Sequence, residues 1–215
     1  MSETKMIDPK EKRADFLLEM YKQMLNDINR HIMVIWQSIT VLAATLSLFS
    51  LLKDNIIQRE IVISVITMAS FWSWGHVIDA SYWYNRNLAI IANIERLFLE
   101  REDLRRVHYY FGSHRKTNNM IFHLKMQRAL AWGVLLVAWL TYLDTNIYSK
   151  LLSNTWTWTE LTPVVVTILG LGFIIYVSSN RRKSYENFIE NSPGISVDAS
   201  IVRYGTGHQP YENKA

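Results

Sequence analysis

Polar and apolar residues fall in long alternating blocks along this chain of 215 residues. The longest uncharged block, Ile32 to Leu52, runs twenty-one residues between Arg30-His31 and Lys53-Asp54. At about 1.5 Å of rise per residue, a helix of that length crosses the roughly 30 Å hydrocarbon layer of a bilayer. A soluble surface helix keeps a polar face, so a block uncharged all round predicts a membrane span. Three further blocks follow: Ile61 to Ile78, Ala129 to Leu143 and Pro163 to Ser179. The third has only fifteen uncharged residues and crosses if Arg128 snorkels to the interface. The fourth opens on Thr162-Pro163, proline suiting a first helical turn, and Arg181-Arg182-Lys183 stops it. These blocks predict an all-α fold: four transmembrane helices with a helical cytoplasmic extension.

The polar blocks have their own periodicity. From Pro9, Phe16, Met20, Met24, Leu25 and Ile28 recur at three- and four-residue spacing, which predicts an amphipathic helix over the N-terminal 1–31. It either packs on the protein's own cytoplasmic part or lies along the lipid surface. The hairpin of spans one and two occupies 32–84. In 85–128, Leu88, Ile91, Ile94 and Phe98 form an apolar stripe that Leu104 and Val107 extend, so the second span is expected to continue beyond the membrane as a helix. A break near Gly112 and a returning helix from about Thr117 lead to the second pair of spans, 129–180. The connection 144–160, with Leu151-Leu152 and Trp156-Thr157-Trp158, suits a segment at the far surface. The tail, 181–215, turns Gly- and Pro-rich from Asn191 and reads as loop or disorder, with Ile195 to Tyr204 able to add one edge strand.

Charge sets the threading. Twenty of the 23 Lys/Arg lie in the N-terminal arm, the central block and the tail, against three in the two short connections. By the positive-inside rule, both termini and the central block are cytoplasmic, and an even number of spans fits this. The eight tryptophans concentrate near span ends, as interfacial belts do. No basic start followed by a short apolar run and a small-residue cleavage site precedes the first span, so it is expected to be retained.

Few residues carry an obvious chemistry. There is no cysteine, which excludes disulfides, thiolate metal sites and cysteine nucleophiles. The six histidines match no zinc spacing, and neither a phosphate-cradling glycine loop nor a nucleophile elbow occurs. The expectation is a protein that is not an enzyme and needs no cofactor or metal. His76 and Asp79, one turn apart at the end of the second span, with Arg86 beyond and Gln37 on the first span, are candidates for a gate or polar path. The opposing reading seats His76 and Asp79 at headgroup level among Trp72, Trp74, Tyr82, Trp83 and Tyr84. Arg105, Arg106, His108, Tyr109, Tyr110, His114, Arg115 and Lys116 interleave bases with aromatics. That mixture suits a helix-turn-helix corner with its aromatics packed inside and its charges solvated, or else anionic lipid or a protein partner, and less readily a nucleotide or nucleic acid. Thr40, Ala43, Ala44 and Ser47, with Gly170 and Gly172, are the small residues expected to let helices approach closely.

The layout over about residues 12 to 107, a charged amphipathic helix, a tight two-span hairpin and a long basic helix, resembles the SLATT-type and related small membrane effectors of bacterial conflict and anti-phage systems. The resemblance implies a bacterial inner-membrane protein that oligomerises and breaches the membrane when a partner senses infection. The second pair of spans departs from the two-span pattern. Three function classes remain: a homo-oligomeric effector or channel-like protein, a non-conducting anchor recruiting a soluble cytoplasmic partner, and a small transporter or membrane enzyme.

Overall fold

The computed structural model of the protein describes residues 9–52, 57–98, 118–147 and 156–191. Among these, four α-helices are found: α1 (Pro9–Leu46), α2 (Arg59–Phe98), α3 (Phe122–Tyr142) and α4 (Trp158–Asn191). A 3-10 segment, Ser47–Leu52, extends α1, and a π-helical turn, Leu143–Ile147, extends α3. The expected edge strand at 195–204 lies outside the described residues. α2 does run on past its apolar block, to Phe98, as the stripe beyond the membrane predicts.

Three of these helices are long and apolar enough to cross a membrane: α1 with its extension, α2 and α4. α3 is not, which departs from the expectation of four such helices. Lys125, Gln127 and Arg128 take up its first two turns, leaving Ala129 to Tyr142, fourteen residues, before the π turn. That is about 21 Å of apolar helix against a hydrocarbon layer of roughly 30 Å.

The chain divides into two compact units. One holds Ile32–Tyr82 and Asn119–Ser184, and is called the apolar unit below; the other, the polar unit, holds Met1–His31, Trp83–Asn118 and Tyr185–Ala215. In the apolar unit α2 is the hub. Of its most apolar stretch 56% is buried, against 17% for α1 and 11% for α4. Val62, Ile63, Ile66 and Ala69 of α2 pack with Leu42 of α1 and with Ala131, Val134, Ala138 and Tyr142 of α3. Nearer the other end, Val77 and Ala80 meet Ile35 of α1 and Leu124 of α3. Phe71 and Ile78 pack with Leu135 of α3 and Ile174 of α4. Three helices therefore cover three sides of α2.

Close approach of α2 and α4 rests on a reciprocal arrangement. The Phe71 ring lies where a side chain on Gly170 would stand, and the Phe173 ring lies where one on Gly75 would stand. Each helix thus supplies one glycine and one aromatic ring. Gly172 meets nothing among the described residues, so of the two glycines expected at a helix contact only Gly170 makes one there. Thr40, Ala43, Ala44 and Ser47 likewise lie exposed on α1, and the α1–α2 contact is made instead by Ile35 and Leu42.

α4 begins five residues before the expected start, at Trp158. Half of a capping box forms between Thr157 and Glu160: the Glu160 carboxylate accepts the Thr157 N–H at 2.8 Å, while the Glu160 N–H goes to the Thr157 carbonyl at 3.1 Å. Pro163 then sits inside the helix and cannot donate to the Thr159 carbonyl. The Thr162 hydroxyl does so instead, at 2.7 Å. The same end is tied to its neighbours by Tyr142, whose hydroxyl donates to the Glu160 carbonyl, by Asn146 donating to Glu60 at 2.9 Å, and by Ser64 Oγ, 3.1 Å from Thr162 Oγ1.

In the polar unit the α2 stripe Leu88, Ile91 and Ile94 is buried as expected, while Phe98 is exposed. On the N-terminal part of α1, Leu17, Met20, Met24, Leu25 and Ile28 turn inward and Phe16 turns out, so the buried stripe is shifted by one residue at its start. Tyr21 donates to the buried Glu95 at 3.2 Å, and Asn85 donates to Asn118 at 2.8 Å.

Gly170→Ala forces Phe71 aside and is expected to lower the thermal midpoint in detergent by several degrees, taking an overpacking cost of about 1–3 kcal/mol at roughly 2–4 °C per kcal/mol. Gly172→Ala, where a methyl meets nothing, is expected to leave the midpoint unchanged or raise it slightly. Equal losses in both variants would remove the reciprocal lock as the basis of the α2–α4 contact.

Candidate functional site

α2 carries one open stripe in the apolar unit. Ile61, Met68 and Trp72 are exposed along it, and His76 and Asp79 are half-buried at its end. The stripe is open because α1, α3 and α4 occupy the other sides of the helix. This is where two of the sequence candidates stand.

They do not pair with each other. Asp79 Oδ1 pairs with Nε of Arg181 on α4 at 2.5 Å, as a charge contact without the alignment of a hydrogen bond. The Arg181 guanidinium also lies over the Tyr82 ring, 4.9 Å from its centroid. An acid, a guanidinium and an aromatic face thus meet where α2 and α4 leave their apolar stretches. An amphipathic ring beneath a planar cation is a favourable seat at a membrane–water boundary, where the ring stays in the apolar region and the charges reach water. His76 stands apart, edge-on to Trp72 with ring centroids 4.3 Å apart.

Gln37 lies on the exposed side of α1. The remaining polar groups of the first span look inward along their own helix. Ser38, Thr40, Thr45, Ser47 and Ser50 each donate to a backbone carbonyl three or four residues back, at 2.6–3.1 Å. A hydroxyl so engaged is tolerated in hydrocarbon and contributes no polar lining. Gln37, His76 and Asp79 therefore do not converge on one polar path within this unit.

Arg86 belongs to the polar unit. Its guanidinium lies between two rings, 5.0 Å from the centroid of Trp83 and 5.5 Å from that of Phe188 on α4. His31 stacks on Trp83 at 5.9 Å, and Tyr185 lies 6.0 Å from Phe188. Arg86 thereby joins α2 to α4, and the Trp83 ring joins α2 to α1. The candidate patch Arg105, Arg106, His108, Tyr109, Tyr110, His114, Arg115 and Lys116 lies outside the described residues.

Comparison with protein-family models, curated proteins and solved structures finds no match for the chain. The geometry alone carries the functional reading. Sequence inspection does not pick out Arg181, Tyr82 or Phe188 as site residues. Arg181 reads in the sequence as a stop signal, yet threading that puts the ends of spans two and four on one side also puts Arg181 level with Asp79. Tyr82 and Phe188 sit three residues after Asp79 and seven after Arg181, the same faces of their helices.

The Asp79–Arg181 pair is testable by a double-mutant cycle. Asp79→Asn and Arg181→Gln are each expected to destabilise the protein, and the double variant to lose less than the sum, with a coupling of about 1 kcal/mol for a pair this open to solvent. Strict additivity in the thermal midpoints would show that the two charges do not interact.

Proposed function

We propose that the protein is a homo-oligomeric, four-span membrane effector of channel-like kind, acting in a bacterial defence or stress system and signalled through its cytoplasmic helices. The observation that carries the membrane part is the outward surface of α3. Ala131, Val134, Leu135, Ala138 and Tyr142 face inward, while Leu130, Trp132, Leu136, Val137, Leu140 and Leu143 stand exposed. So large an apolar face has no place in water. Packed against the membrane-crossing part of α2, α3 is a fourth span that is short by a few residues, with Lys125 and Arg128 reaching to the interface. Four spans keep both termini on one side, and the distribution of Lys and Arg makes that side the cytoplasm.

The effector part rests on a layout over about residues 12 to 107 that resembles that of SLATT-type proteins, and on α1. The face carrying Thr40, Ala43, Ala44 and Ser47 is uncovered within the chain and suits close approach by another helix in lipid. A second reading, an anchor for a soluble partner, draws on Phe16, Leu18, Leu97 and Phe98, which are exposed apolar residues of the polar unit.

Reconstitution separates the two. The effector reading predicts leakage of a small dye from liposomes, growth arrest on overexpression, and a particle larger than one copy in detergent. A single-copy particle, intact liposomes and a co-purifying soluble protein would replace it with the anchor.

A further inference from the structure

Thr67, Trp74 and Ser81 stand seven residues apart on α2 and so share one face of the helix. That face is covered. Trp74 packs against the cluster of Phe71, Ile78, Leu135 and Ile174, and its ring centroid lies 4.7 Å from that of Trp132 on α3. Thr67 is 0% exposed and Ser81 3%. Even so, Thr67 Oγ1, Trp74 Nε1 and Ser81 Oγ have no hydrogen-bond partner among the described residues, and neither has Gln127 Oε1 of α3.

Other hydroxyls of the same helix behave differently. Ser64 and Ser70 donate to the Glu60 and Ile66 carbonyls one turn back, at 2.7 and 2.8 Å. Thr67 and Ser81 do not take that route. A buried polar group left without a partner costs about 1–3 kcal/mol, so four such atoms in one bundle weigh heavily against its stability. Bound water removes the cost where several polar groups line the same space.

We propose that the seam between α2, α3 and α4 binds water at these four groups. The Trp74 N–H donates to it, the Gln127 carbonyl accepts from it, and the two hydroxyls do either. Thr67 and Ser81 are fourteen residues apart, about 21 Å along the helix, well over half the hydrocarbon thickness. The interior of a single copy, and not the exposed side of α1 that carries Gln37, is then the polar route through this protein. The proposal needs only the bundle itself and is independent of the effector reading.

The cysteine-free chain makes the test direct. Full-length protein in liposomes is prepared with Thr67→Cys, with Ser81→Cys, or with Ile66→Cys as a buried control on the apolar side of α2. Silver ion, which reaches a thiol only through water, is the probe. A hydrated seam predicts reaction in the Thr67→Cys and Ser81→Cys proteins at least about tenfold faster than in Ile66→Cys, because water is needed to form the thiolate. Thr67→Val and Ser81→Ala, which change the shape little and remove the polar atom, give a second reading in detergent. In a hydrated seam each lowers the thermal midpoint by about 2–4 °C; in a dry one each raises it, since an unpartnered group has been removed. Silver reaction at the control rate, with raised midpoints, overturns the proposal.

Discussion

In the apolar unit, burial of α2 governs how the other three helices pack. A helix in hydrocarbon satisfies its own backbone, so lipid gives it no reason to associate beyond packing and side-chain hydrogen bonds. α2 meets that requirement with small or flat contacts on three sides. Ala69 and Ala80 let α1 and α3 come close, and the exchange of Gly75 and Gly170 for Phe173 and Phe71 does the same for α4. α1 and α4 can then leave most of their apolar surface facing outward.

Polar groups in the bundle follow the same logic. The first-span hydroxyls close onto their own carbonyls, and Thr162 supplies the donor that Pro163 lacks. At the Glu60 end, Asn146, Tyr142, Ser64 and Thr162 knit α2, α3 and α4 together. At the opposite end the contacts are charged and aromatic, with Arg181 against Asp79 and Tyr82. One end of the bundle is held by hydrogen bonds, one of them to the Glu60 carboxylate, and the other by an ion pair and a cation over an aromatic ring.

Much of the fold is legible in the amino-acid sequence because hydrocarbon imposes so simple a rule. Uncharged runs of sufficient length mark α1, α2 and α4, and the stripe at Leu88, Ile91 and Ile94 marks the continuation of α2. α3 is harder, since Lys125 and Arg128 sit inside the helix and length alone does not say whether their charges reach water. The start of α4 is within reach, because Thr157 and Glu160 have the spacing of a capping box, but Pro163 points to a later turn. The site is less legible. Which side of a helix faces a neighbour depends on where three other helices stand, so Thr40, Ala43, Ala44 and Ser47 read as a packing face and yet lie open. For the same reason Asp79 meets Arg181, more than a hundred residues away in the chain, and not His76 one turn off.

α3 is proposed to cross the bilayer beside α2 and to close a four-helix bundle. Single cysteines placed at Ser113 and at Ser153, in the two stretches that flank α3, decide it in a chain with no other thiol. In intact cells, an impermeant maleimide is predicted to label Ser153→Cys from outside and to reach Ser113→Cys only after the membrane is opened. Labelling of both positions from the same side would mean that α3 does not cross, and the bundle described here would not be the membrane form of the protein.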